Sequence, residues 1–80
     1  MTNLQKYNSI FEDCFEVSLV NMNYKIEYRS IGAWDSLGHM NLISAIEEAF
    51  DIMLDVEDII GFTSYDMGKN ILLKYDIDIK

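Results

Sequence analysis

The sequence predicts an all-α fold, a small four-helix bundle with a long first loop and a short third helix. Apolar residues recur at intervals of three and four in three segments, the spacing that gives a helix one apolar face. Half of the 80 residues are hydrophobic, which is enough to form a core. A chain of this length is expected to fold as one small domain, residues 1–80.

The first helix is predicted to span about residues 3–19. The chain has no proline, so Asn, Asp, Ser, Thr and Gly must set the helix ends. Asn21 and Asn23 interrupt the apolar pattern after this helix. The residues predicted to face the core form one stripe: Leu4, Tyr7, Phe11, Cys14, Phe15 and Ser18.

Two segments, residues 24–29 and 75–80, alternate apolar and charged residues with the period of a β-strand. They could pair as a two-stranded ribbon, but such a ribbon is only marginally stable alone. We therefore favour extended loop structure whose apolar side chains pack on the helices.

The second helix is predicted from about Ser36 to Phe50, with Asp35 as its N-cap. Leu37 and Met40 precede the apolar stripe by one turn, and we expect them to be partly exposed. The residues predicted to face the core are Leu42, Ile43, Ile46, Ala49 and Phe50.

A short third helix is predicted from Val56 to Ile60. Asp55 is a suitable N-cap, and Asp58 stands at the third helical position, where a capping box has its acidic residue. Gly61 is predicted to end this helix, because glycine is common just beyond a helix C-terminus.

The last helix is predicted to begin after a cap at Thr63 or Ser64 and to run to about Lys74 or Tyr75. This segment has an acidic residue near its start and a basic residue near its end, which suits the dipole of a helix. The side chains predicted to face inward are Met67, Ile71, Leu72 and Tyr75.

Composition excludes several classes of function. The net charge of −8, from 14 acidic and 6 basic residues, disfavours binding to nucleic acid or anionic membranes. Residues 1–6 lack the apolar run of a signal peptide, and no stretch approaches the ~20 apolar residues of a membrane span. Cys14 is the only cysteine, so no intramolecular disulfide forms. We expect a reduced, cytoplasmic chain with Cys14 in the core.

Ser36 is the candidate functional residue. It is predicted to lie exposed on the first turn of the second helix, where the helix dipole favours a phosphate. His39 shares its helix face, but a catalytic dyad would also need an orienting group and an oxyanion hole. The sequence supplies neither, so we predict no catalytic residue, and His39 is expected to be an exposed or half-exposed surface residue. Ser36 is therefore expected to be modified by another protein.

The acidic residues around the second and third helices do not match a metal site. An EF-hand loop starting at Asp51 would need an oxygen ligand where Met53 stands and a glycine where Val56 stands. One Cys and one His cannot form a zinc site. The cluster is either a solubilising face or a docking surface for basic partners, and its position around Ser36 favours docking. Its members are Asp35, Glu47, Glu48, Asp51, Asp55, Glu57 and Asp58.

With these residues, the chain resembles the acyl carrier protein family, which includes peptidyl carrier domains. The resemblance covers about residues 3–75 and implies the four-helix fold of acyl carrier type. The matching residues are Asp35-Ser36-Leu37, Leu42, Ile46, Glu47-Glu48, Phe50 and Asp55-Val56-Glu57-Asp58.

The resemblance implies a non-catalytic monomer that carries 4′-phosphopantetheine on Ser36 and holds acyl or aminoacyl groups as thioesters. The implied partners are a phosphopantetheinyl transferase, an acyl- or aminoacyl-loading ligase, and downstream transferases or synthases of fatty-acid, polyketide or nonribosomal peptide type. The residues implied in partner recognition are Asp35, Leu37, Met40, Glu47, Glu48, Glu57 and Asp58. Those implied to line an acyl cavity are Leu42, Ile46, Ile59, Phe62 and Ile71.

The chain departs from the housekeeping fatty-acid carriers at several positions. Gly38 and Asn41 stand where those carriers commonly have acidic residues. Trp34 and the Gly38-His39-Met40 run resemble discrete carriers of specialised pathways, which favours a short or polar cargo. The alternative function is a small acidic helical adaptor that docks partners through the second helix, with Ser36 unmodified.

Overall fold

The computed structural model describes residues 2–79 and contains, over these residues, four helices and no strand. The all-α class, the long first loop and the short third helix are confirmed for this part of the chain. The second helix has the predicted bounds. The elements are α1 (Asn3–Phe15), α2 (Ser36–Phe50), α3 (Val56–Gly61) and α4 (Tyr65–Leu73).

Helix α1 is shorter than predicted. It begins after Thr2, which forms a capping box, and ends at Phe15 because Glu16 adopts a left-handed conformation with φ of 54°. In a continued helix the Leu19 N–H would bond the Phe15 carbonyl, but it donates to Oε2 of Glu12 at 3.0 Å. The chain therefore turns at this point, and Leu19 is buried in the core.

The loop from residue 16 to residue 35 packs as an extended segment on the helices, as favoured above. The Tyr28 N–H donates to the Thr63 carbonyl at 2.8 Å, and the Tyr65 N–H donates to the Ile26 carbonyl at 3.0 Å. These bonds form an isolated antiparallel bridge to the α3–α4 connection. Over the described residues, segments 24–29 and 75–79 form no strand, so the alternative ribbon is wrong for this part of the chain.

The C-terminal segment packs its apolar side chains on the core. Ile77 and Ile79 are buried, while Asp78 between them is exposed. The Asn3 side-chain amide donates to the Asp78 carbonyl at 3.3 Å, which joins the end of the chain to the start of α1. Lys80, the last residue of the predicted alternating segment, lies outside the described residues.

The predicted capping box of α3 is wrong. Asp55 does precede the helix, but its side chain makes no capping hydrogen bond. The Asp58 carboxylate accepts hydrogen bonds from Lys74 and Tyr75, and this ion pair with the end of α4 replaces the local contact. The helix includes Gly61 rather than ending before it.

Helix α4 is capped by Ser64, whose Oγ accepts from the Met67 N–H at 3.0 Å. It ends at Leu73, slightly before the predicted end. Met67 was predicted to face inward, but 43% of it is exposed. The inward position belongs to Gly68, which packs closely against Tyr7 and Phe62.

The core contains a cluster of aromatic side chains that centres on Phe11 of α1. Its ring lies 4.9–6.4 Å, centroid to centroid, from five other aromatic rings: Tyr7, Phe15, Trp34, Phe62 and Tyr65. Edge-to-face contacts dominate, the arrangement that the ring quadrupole favours. Helix α2 completes the core with its predicted residues Leu42, Ile43 and Ile46.

Several predicted core residues lie at the margin. Ala49 and Phe50 are only half-buried at the end of α2, and Cys14 is likewise half-buried on α1. Ser18 is exposed, because α1 ends before it. The predicted stripes therefore have the correct phase but extend beyond the region where the helices meet.

Two helical glycines provide a matched test of this packing. A Cβ at Gly68 would overlap Tyr7 and Phe62, whereas a Cβ at Gly61 would meet only Ile71, at 4.0 Å. We expect Gly68→Ala to lower the free energy of unfolding by about 1–3 kcal/mol, the usual cost of overpacking. Gly61→Ala should be neutral or stabilising by up to ~1 kcal/mol, owing to helix propensity. Urea unfolding measures both, and equal effects would contradict the packing described.

Candidate functional site

Ser36 is the first residue of α2 and is exposed. Asp35 is the N-cap, as predicted: its Oδ1 accepts from the Gly38 N–H at 2.9 Å. Because the Asp35 carboxylate satisfies this helix end, the Ser36 hydroxyl is not needed as a cap. The Ser36 Oγ lies 3.2 Å from the hydroxyl of Tyr28, which reaches it from the long loop.

Apolar side chains are exposed on both α2 and α3. Leu37 is 73% exposed and Met40 is 50% exposed, in agreement with their predicted exposure. On α3, Val56 and Ile60 are also exposed. A surface pocket of about 220 Å³ is lined by Tyr28, His39, Ile60 and Thr63. Through Tyr28 this pocket adjoins the candidate serine.

His39 is half-buried and joins three parts of the chain. Its Nδ1 accepts from the Trp34 indole N–H at 3.0 Å, because that group can only donate. The Nε2 therefore carries the ring proton and donates to the Ile59 carbonyl at 2.7 Å. Both nitrogens are engaged with Trp34 and Ile59, so the ring is not available to activate Ser36.

Trp34 has a structural role that was not predicted from the sequence. Its side chain is fully buried, and its ring stacks on Phe15 at 5.1 Å and on His39 at 6.3 Å between centroids. The large size of the indole indicates burial. Its position in a loop next to Ser36 instead favoured a functional interpretation.

Gly38 is required by a close approach between the long loop and α2. A Cβ at this position would overlap the carbonyl oxygen of Ala33. A residue with a side chain, acidic or otherwise, could not stand here without displacing the loop. Asn41 is exposed.

The acidic residues divide into two groups. Asp35, Glu48 and Glu57 are exposed. Glu47 is half-buried, and its Oε2 accepts from the Leu54 N–H at 2.9 Å, which holds the connection between α2 and α3. Asp58 is only 8% exposed. Their parts in partner recognition stay predictions, but Glu47 and Asp58 also hold the fold together.

Asp58 links α3 to the end of α4. Its carboxylate accepts from Lys74 Nζ and from the Tyr75 hydroxyl, the latter at 2.6 Å. The Tyr75 oxygen in turn accepts from the Asp55 N–H at 2.9 Å. These bonds, with Lys74 the largest cause, lower the pKa of the Asp58 carboxyl below its usual range.

The candidates for an acyl cavity belong to the packed core. Leu42, Ile46, Phe62 and Ile71 are all buried, and Ile59 is half-buried against them. The structure thus brings these residues into one cluster. Their role as the lining of a space for cargo stays a prediction.

Across residues 2–79, no helix combines the length and the apolar character that a bilayer crossing requires. In the same part of the chain, no three His, Cys, Asp or Glu side chains form a group that could bind a metal ion. The chain matches no protein-family model, no curated protein and no solved structure.

The ion pair of Asp58 predicts a pH dependence of stability. Because its pKa is lowered in the folded chain, the unfolded chain binds the proton more readily. The stabilisation is therefore complete above the unfolded pKa, about 3.9, and is lost as the pH falls through the folded value. Asp58→Asn should be less stable than wild type at pH 7, and the difference should shrink below about pH 4.

Thermal unfolding across this pH range measures the difference. Asp13→Asn, at an exposed position of α1, is the control and should show no comparable destabilisation at pH 7. A difference between Asp58→Asn and wild type that stays constant from pH 7 to pH 3 would contradict the proposed role of the ion pair.

Proposed function

We propose that this chain is a carrier protein that holds acyl or aminoacyl groups as thioesters on a 4′-phosphopantetheine arm attached to Ser36. The observation that carries the proposal is the setting of this serine. It is exposed at the first position of α2, immediately after Asp35, whose side chain caps the helix so that the serine hydroxyl is not needed there. The four-helix architecture with a short third helix supports the same family resemblance.

The residues around Ser36 fit the arm. The hydroxyl is exposed, and the start of α2 favours a negatively charged group. Tyr28 places a second hydroxyl beside it. The arm would supply the thiol that bears the cargo. His39 cannot act as a base for Ser36, since both of its ring nitrogens are engaged, so we expect the modifying enzyme to remove the serine proton.

The surface near Ser36 suits brief contacts with several enzymes. Leu37 and Met40 offer apolar contact area, while Glu48 and Glu57 offer exposed carboxylates. Charge complementarity speeds encounter more than it raises affinity, and this suits a carrier that must leave each partner again. The net charge of −8 likewise attracts basic partner surfaces.

We propose a short or polar cargo for this carrier. The side chains implied to line an acyl cavity fill the core together with the aromatic cluster, and a long chain would have to displace them. The surface pocket beside Tyr28 and His39 has a volume of only about 220 Å³. This is below the ~300–1,000 Å³ of pockets that hold drug-sized ligands.

The alternative, an acidic adaptor with unmodified Ser36, is favoured by the same exposed apolar and acidic residues of α2. The two functions differ in the fate of the serine. An adaptor would retain partner binding without any covalent addition, whereas a carrier requires the addition for activity.

Intact mass after incubation with coenzyme A and a broad-specificity phosphopantetheinyl transferase tests the proposal. We expect the wild-type chain to gain one arm and Ser36→Ala to gain none. Ser44→Ala is the matched control, because Ser44 is another exposed serine of α2, and it should load fully. Ser36→Ala should keep its stability within about 0.5 kcal/mol, as surface substitutions usually do. Loading of Ser36→Ala would place the attachment elsewhere, and an unmodified wild type would favour the adaptor.

Electrostatic docking predicts an effect on rate. Glu48→Lys, on the exposed face of α2, should slow association with a partner enzyme by about two- to tenfold at low salt, and less at high salt. Asp13→Lys makes the same change of charge on α1 and should slow association less. Stopped-flow kinetics at several salt concentrations measure both. Identical, salt-independent rates for Glu48→Lys and wild type would contradict docking through this face.

A further inference from the structure

The side-chain hydroxyl of Tyr28 lies against the side-chain oxygen of Ser36. The two oxygens are 3.2 Å apart, and either can donate the hydrogen bond between them. Tyr28 is a loop residue, eight positions before the serine, so their contact comes from the packing of the loop and not from the helix. No pattern in the sequence predicts a function for Tyr28.

Tyr28 is held in place from two sides. Its backbone N–H donates to the Thr63 carbonyl at 2.8 Å. Its ring lies edge-on to the imidazole of His39, with 5.5 Å between centroids. His39 is itself fixed by hydrogen bonds to Trp34 and Ile59. The tyrosine hydroxyl is therefore preorganised beside the serine. A hydrogen bond that it makes there costs little conformational entropy.

Arg29 adds a positive charge at the same place. It is the only arginine in the sequence. Its backbone is left-handed, with φ of 67°, and its guanidinium carbon lies 5.5 Å from the centre of the Tyr28 ring. The hydrogen bond with Ser36, followed by that with Arg29, lowers the pKa of the Tyr28 hydroxyl. The nearby Asp35 carboxylate is negative, but it is engaged with the Gly38 N–H.

Modification of the serine would fix the direction of this hydrogen bond. In the free protein the Ser36 hydroxyl has a proton to donate. Once its oxygen is esterified it has none, so Tyr28 becomes the sole donor of the pair. A phosphodiester carries a negative charge, and hydrogen bonds to charged acceptors are the stronger ones. Tyr28 and Arg29 are thus a donor and a counter-charge suited to a phosphate ester on Ser36.

We propose that Tyr28 is a positioning residue for the modification of Ser36, orienting the serine oxygen before attachment and donating to the phosphodiester afterwards. The inference rests on the proposed carrier function. In the attachment step, the Ser36 oxygen forms a bond to the phosphorus that bears pantetheine in coenzyme A. The bond from that phosphorus to the adenosine bisphosphate breaks, and the serine proton passes to a base of the transferase. Arg29 contributes to this role through its contact with Tyr28 and through its positive charge.

The test uses the full chain, coenzyme A and a phosphopantetheinyl transferase, with Tyr28→Phe as the main variant. Phenylalanine keeps the ring against His39 and removes only the hydroxyl. Tyr24→Phe is the matched control, because Tyr24 is an exposed tyrosine of the same loop whose ring contacts Tyr65. Thermal unfolding verifies that both variants fold.

We expect kcat of the transferase to fall about three- to tenfold with Tyr28→Phe, the range for one lost hydrogen bond, with KM for the carrier unchanged. We also expect the phosphorus NMR resonance of the loaded protein to move in Tyr28→Phe, and to move less in Arg29→Gln. Tyr24→Phe should match wild type in both measurements.

The outcomes separate this inference from the function on which it rests. A wild-type chain that gains no mass overturns both. If wild type loads, but Tyr28→Phe matches Tyr24→Phe in kcat and in its phosphorus resonance, this inference alone is overturned. A change confined to KM would place Tyr28 in contact with the transferase and would likewise overturn the positioning role.

Discussion

The burial of Trp34 is the constraint on which the arrangement of the site depends. Its indole is fully enclosed between the rings of Phe15 and His39, and its N–H donates to Nδ1 of His39. A buried indole N–H needs an acceptor, and here the acceptor stands on α2. Burying the largest side chain of the loop therefore also fixes the loop to the start of that helix. Ser36, which lies between Trp34 and His39 in the sequence, is held at the surface as a result.

The short helix α3 is held by contacts from outside itself. Six residues are too few to form a stable helix alone, since nucleation is costly. His39 donates to the Ile59 carbonyl, and Asp58 bonds Lys74 and Tyr75 at the end of α4. His39, which also contacts the ring of Tyr28 beside Ser36, thus helps to anchor α3. Substitutions of His39 or Asp58 would therefore lower the stability of the fold.

Local signals were sufficient for much of the fold. The apolar spacing and the Asp35 cap gave α2 with its correct bounds, and they placed Ser36 exposed at its start. Predictions failed where a side chain bonds a distant part of the chain. Asp58 suited a capping box by position, yet it pairs with Lys74, 16 residues away. Met67 fitted the inward stripe of α4, yet the inward position is occupied by Gly68, because Tyr7 and Phe62 approach too closely for a side chain there.

The sequence by itself determined the helical class, the α2 bounds and the exposed serine, because periodicity and caps depend on neighbours within one turn. Only the tertiary structure decided that Tyr28 stands against Ser36, that Trp34 is core, and that Gly38 leaves room for the Ala33 carbonyl. Each of these depends on how the long loop folds back on α2. The path of the loop is set by the packing of large rings and by single hydrogen bonds between separate segments. The periodic spacing of apolar residues in the sequence indicates neither of these.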